Sequence, residues 1–100
     1  MLTDDAIYVQ NSQSTCREEN NNTFTIYNPN TDILTTISPM GKHIINLFDG
    51  TTTISEVYTM VCQIYNEYAT DVGKQDFVKF LEKVSDRGLI VLNSLQETEA

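Results

Sequence analysis

Basic residues are scarce in this chain. Six lysines and arginines stand against fourteen acidic residues, a net charge of −8. Such a balance argues against non-specific binding to nucleic acid or to an anionic membrane, where phosphates demand lysine and arginine. Tryptophan is absent, and histidine occurs once, as His43, with neither a base partner nor a metal mate. Two cysteines, Cys16 and Cys62, form no Cys-x-x-Cys pattern. That excludes a finger-type zinc site, and a reducing compartment disfavours a disulfide. Cys62 falls beside an apolar helical stripe and reads as a buried thiol. No apolar run approaches the length needed to span a bilayer. The start, Met1-Leu2-Thr3-Asp4-Asp5, lacks the zones of a signal peptide, so a cytoplasmic protein is expected. A nucleophile–base pair, a phosphate-cradling glycine loop and metal spacing are all missing, so no enzyme activity and no cofactor are expected.

What is present is enough for one domain. One hundred residues can bury roughly 60–65% of the unfolded surface, and the pattern places a single domain over 1–92 with a polar tail over 93–100. Ala6 to Gln10 alternates as a strand, and Asn11 to Asn22, without a large apolar residue, reads as a mobile loop. Thr23 to Tyr27 is β-branched and aromatic, a strand. Asn28-Pro29-Asn30-Thr31 turns the chain into a second strand, Asp32 to Ile37. These two strands form an antiparallel hairpin, with Ala6–Gln10 expected outside the first.

Three helices follow. Ser38-Pro39 caps and starts the first; Ile44, Ile45, Leu47 and Phe48 give its apolar side, and Gly50 is expected to end it. Thr53 and Glu56 form a capping box for the second, whose stripe runs through Ile54, Val57, Tyr58, Val61, Ile64, Tyr65 and Tyr68. Thr70 to Gly73 reads as a joint and Lys74 to Arg87 as the third helix, closed by Gly88 in a left-handed conformation. Leu89 to Leu92 reads as a short extended tail. The sum is an α+β, winged-helix-like class: a three-stranded antiparallel sheet followed by three helices.

The outer edge of Asp32–Ile37 carries no lysine and no proline, the usual guards of an exposed strand. An unguarded edge suits a domain that receives a strand from a partner, or one that pairs with a second copy as a homodimer.

Between Thr23 and Leu92 the chain resembles the PqqD-like peptide chaperones, also called RiPP recognition elements. The resemblance rests on the Asn28-Pro29 turn, the strand running into a serine-capped helix, and Phe48-Asp49-Gly50-Thr51 followed by Ile54 and Val57. It closes with Phe77-x-x-Phe80-Leu81 and Arg87-Gly88-Leu89-Ile90. Ser38 stands where many relatives have asparagine, and the Asn11–Asn22 loop is long. The resemblance implies a recognition protein that binds the leader of a ribosomally made precursor peptide and presents it to a modifying enzyme. That enzyme would be a radical-SAM protein, as in pyrroloquinoline-quinone synthesis, or a leader protease and cyclase, as in lasso-peptide assembly. It also implies that the leader adds antiparallel to the third strand and packs against the third helix. Ile33, Leu34, Thr35, Thr36 and Ile37 would then supply the ladder. Phe77, Phe80, Leu81 and Val84 would line or support the groove, with Lys79, Lys83 and Arg87 on its rim.

Each residue also has a plainer reading. A third helix must bury a stripe in any fold, which accounts for Phe77, Phe80, Leu81 and Val84 as core. Lys79, Lys83 and Arg87 share a helix face that local ion pairs and water would satisfy. The alternative function is a winged-helix DNA-binding transcription regulator with the third helix in the groove; the charge of −8 opposes it.

Overall fold

The computed structural model describes residues 5–19 and 21–95. The chain runs β1 (Ala6–Gln10), β2 (Thr15–Glu18), β3 (Phe24–Asn28), β4 (Ile33–Ile37), α1 (Pro39–Asn46), β5 (Asp49–Thr53), α2 (Ile54–Ile64), a 3-10 turn (Asn66–Ala69), α3 (Asp71–Asp86) and β6 (Ile90–Leu95). It is an α+β fold with two three-stranded antiparallel sheets, ordered β5-β1-β6 and β2-β3-β4.

The second sheet departs from expectation at its first strand. Ala6–Gln10 does not flank the hairpin; it is the central strand of the other sheet, between β5 and β6. Ala6, Ile7 and Tyr8 are buried in succession, as a strand covered on both faces must be. Its place is taken by β2, which lies within the expected loop and pairs Thr15 with Tyr27 and Glu18 with Phe24. All four β2 residues are exposed, so no apolar alternation marks the strand; backbone pairing alone holds it.

Helix boundaries shift for local reasons. In α1 Ser38 Oγ accepts from Gly41 N–H at 3.1 Å, as the cap requires. The helix stops at Asn46, before Gly50, because Leu47 and Phe48 N–H turn back to the Ile44 and Ile45 carbonyls, both at 3.1 Å. That tightened end drives Phe48 into the core with no exposed surface and frees Asp49–Thr53 to pair with β1. The capping box of α2 is complete: Glu56 N–H donates to Thr53 Oγ1 at 3.1 Å, and Thr53 N–H donates to Glu56 Oε1 at 2.9 Å. Tyr65, with φ −124° and ψ 93°, ends α2 short of the full stripe, and Tyr68 falls in the 3-10 turn.

Helix α3 starts earlier than its apolar stripe suggests. Thr70 caps it, accepting from Gly73 N–H at 3.0 Å, so Gly73 lies inside the helix. A Cβ on Gly73 would stand 2.1 Å from the Glu67 carbonyl oxygen; glycine is there to admit the 3-10 turn. At the other end Leu89 N–H reaches the Val84 carbonyl at 2.9 Å and Gly88 N–H that of Ser85 at 3.0 Å, with Gly88 at φ 73°. This is the paired closure that a left-handed glycine permits. The expected tail enters β6, which includes Asn93 to Leu95; residues 96–100 of the polar tail lie outside the described residues.

One core unites the elements. Phe48, Val57, Val61, Phe77, Leu81, Val84, Leu89 and Ile90 are all at most 2% exposed and pack with Ile26 and Ile37 from the second sheet and Tyr8 from the first. His43 meets the Tyr65 hydroxyl at 3.0 Å, a structural role. Cys16 is exposed and Cys62 half-buried, both free.

Candidate functional site: the edge of β4 beside α3

Strand β4 has one neighbour, β3, and its other edge is open among the described residues. Side chains alternate along a strand, and the burial follows. Thr35 and Ile37 are 2% and 4% exposed, whereas Leu34 is 63% exposed and Thr36 is also exposed. Ile33 shares the inward parity but lies at the strand end, 38% exposed.

The direction of the backbone groups follows from the hairpin. Antiparallel pairs alternate between those that exchange their own N–H and C=O groups and those that do not. The closing pair is Asn28 with Ile33. The next residue, Pro29, has no N–H, so only the first kind of pair can close here. By alternation Thr35, opposite Ile26, and Ile37, opposite Phe24, also bond to β3. Leu34 and Thr36 therefore turn their N–H and C=O groups to the open edge.

The flank of α3 beside this edge is set by two contacts. A Cβ on Gly41 would lie 3.1 Å from Phe80 Cε1 and Cζ and 3.5 Å from Ile37 Cβ, so Phe80, Gly41 and Ile37 converge at the end of β4. At its middle Arg87 Nη1 donates to Thr35 Oγ1 at 3.2 Å. Phe80 and Arg87 are seven residues apart, two helical turns on one side of α3.

A polar cluster fixes the height of Arg87 against the strand. Asn28, 1% exposed, donates from Nδ2 to the Arg87 carbonyl at 2.8 Å and accepts on Oδ1 from Asn30 N–H at 3.0 Å. Asn11 Nδ2 reaches Asn28 Oδ1 at 3.4 Å and the Gly88 carbonyl at 2.9 Å. Every buried polar side-chain atom among the described residues has a partner, so the cluster carries no desolvation debt. At the hairpin tip Asp32, at φ 59°, accepts from the Tyr27 hydroxyl at 2.7 Å. That bond, with the negative charge behind it, raises the Tyr27 pKa.

The expected site residues divide. Ile33, Leu34, Thr35, Thr36 and Ile37 form the edge strand; Phe80, half-buried, and Arg87 stand beside it. Phe77, Leu81 and Val84, at 0–1% exposure, are core that supports α3 from behind. Lys83 is exposed, about 40° round the helix from Arg87. Lys79 points elsewhere: with Asp71, Lys74, Gln75, Val78 and Glu82 it lines a hollow of about 610 Å³ on the other flank of α3. Asn28 and Gly41 were not anticipated as site residues. Asparagine before proline reads as a turn, and only its burial shows that it also ties the turn to α3.

Among the described residues no group of histidine, cysteine and carboxylate side chains could hold a metal, and no helix is long and apolar enough to cross a membrane. Fold and site thus define a small α+β domain with an open strand edge beside a helix. Residues 24–90, about two-thirds of the chain, match the family model described as Coenzyme PQQ synthesis protein D (PqqD), and the chain belongs to that family. The family is one of non-catalytic accessory proteins, peptide-binding partners in PQQ and RiPP biosynthesis. Comparison with curated proteins and with solved structures returns no match.

Proposed function

We propose that this protein binds the leader segment of a precursor peptide as a strand added antiparallel to β4, and presents it to a modifying enzyme of the radical-SAM or leader protease/cyclase class. The observation that carries this reading is the open edge at Leu34 and Thr36, flanked by Phe80 and Arg87 of α3.

Two outward residues offer two N–H and two C=O groups, so the ladder supplies about four backbone hydrogen bonds, each worth ~1 kcal/mol net. Apolar anchors beside Phe80 and Ile37 add roughly 1.5–3 kcal/mol each. Ordering the peptide and immobilising it costs at least several kcal/mol. The balance gives micromolar to sub-micromolar binding, in which side chains, not the ladder, set specificity. Catalysis by the partner enzyme then gains from proximity alone, because a tethered core peptide is present at high effective concentration.

Calorimetric titration with synthetic leader segments from the short reading frames beside this gene tests the reading. One saturable, one-to-one binder is expected. Thr36→Pro removes an outward N–H from an exposed position and should weaken that binder about tenfold or more with an unchanged circular-dichroism spectrum. Thr35→Pro is a poor substitute, since Thr35 is buried and bonds inward. Undiminished binding by a folded Thr36→Pro variant would sink strand addition.

A further inference from the structure

Arg87 is a charged group held against β4, and no carboxylate among the described residues pairs with it. Its carbonyl is held by Asn28 at 2.8 Å and its N–H by the end of α3. Gly88 behind it cannot be replaced without a Cβ 2.4 Å from Asn28 Nδ2. The backbone of Arg87 is therefore fixed relative to the hairpin. Its guanidinium donates one bond to a neutral hydroxyl, Thr35 Oγ1, out of five N–H donors available to arginine. The only ion pair among the described residues is Arg17 with Glu19, so no described carboxylate pairs with Arg87. Nearby acids are turned away or engaged: Asp32 accepts from Tyr27, and Asp86 lies on the exposed side of α3, about 100° round from Arg87.

The other end of the same flank is apolar, with Phe80, Gly41 and Ile37 in contact range. A strand running antiparallel to β4 passes Ile37 first and Thr35 two residues later. Its side chains that face α3 share one parity, so successive inward positions meet the Phe80–Ile37 end and then Arg87.

Resting on the strand-addition reading above, we propose that the peptide recognised by this protein carries a large apolar residue followed two positions later by aspartate or glutamate. The apolar side chain seats against half-buried Phe80 at the Ile37 end of β4, and the carboxylate takes the free donors of Arg87 in a charge-assisted, forked pair. The overall charge of −8 makes this a local recognition of one acid. Further acids on the peptide meet a repelling field and weaken binding.

The test is selection of randomised ten-residue segments from a display library on the intact chain, followed by anisotropy titration of the recovered peptides. The expected peptides share the apolar-x-acidic spacing and lose affinity with Thr36→Pro. Exchanging the acid for its amide should weaken binding to the native protein about tenfold or more, weaken binding to Arg87→Lys by less, and leave binding to Arg87→Gln unchanged. A purely structural Arg87 would lower the affinity of acid and amide peptides equally, which overturns the inference. Peptides that depend on Thr36 but show no acid at that spacing also overturn it and leave strand addition standing. If no recovered peptide is sensitive to Thr36→Pro, strand addition fails and the inference falls with it.

Discussion

Asp49 shows how much one exposed carboxylate can organise. It accepts from Thr51 N–H at 2.9 Å and from the Thr51 and Thr52 hydroxyls at 2.8 and 3.0 Å. These bonds favour the charged form and hold its pKa below the ordinary carboxylate range, the Thr51 backbone bond contributing most. A carboxyl whose pKa is lower folded than unfolded stabilises the fold above the unfolded value, and the contribution is lost as pH falls through the folded one. A carbon-detected NMR titration should therefore find Asp49 ionised below the range of a free aspartate. Asp49→Asn should lose less stability than the native chain when urea unfolding is compared at neutral pH and near pH 3. The aspartate-glycine-threonine run was legible as a joint. Its use as a strand was not, since nothing within Asp49–Thr53 announces that β1 lies beside it.

At the scale of elements, the hairpin and α3 are joined by one side chain. Asn28 stands on β3, yet its amide holds the Arg87 carbonyl and the Asn30 N–H. Asn28→Ala would remove the bonds to these part-buried groups, at a cost of about 1 kcal/mol; the midpoint of urea unfolding should fall accordingly with an unchanged slope. Helix ends were legible because caps are local: Ser38, Thr53 with Glu56, and Gly88 each act within a few residues of themselves. Gly73 was misread as a joint because its reason is not local. The glycine is demanded by the Glu67 carbonyl of a neighbouring turn, which no spacing along α3 reveals. In the candidate site the edge residues Ile33–Ile37 were legible as a β-prone run without guards. The division of the α3 residues into Phe80 and Arg87 beside the edge, Lys79 on the far flank and Phe77, Leu81 and Val84 in the core depends on how the helix is rotated. That rotation is set by packing.

For the whole molecule, charge is the property that composition settles. A net −8, with Glu82 and Asp86 interspersed among Lys79, Lys83 and Arg87, leaves no basic face for phosphates. The protein should pass unretained through immobilised duplex DNA even at about 50 mM salt, where phosphate contacts are strongest; salt-sensitive retention would favour the regulator reading over the peptide-binding one. Composition and local pattern also determined the α+β class, the three helices with their caps, the β3–β4 hairpin and the resemblance to the family, because each depends on residues close together in the chain. Tertiary structure alone decided that the strands form two sheets. Strand β1 finds partners some forty and eighty residues away, and β2 exists only because β3 offers an edge to pair with. Pairing between distant backbones leaves no periodic trace in the side chains when the strand is wholly buried or wholly exposed.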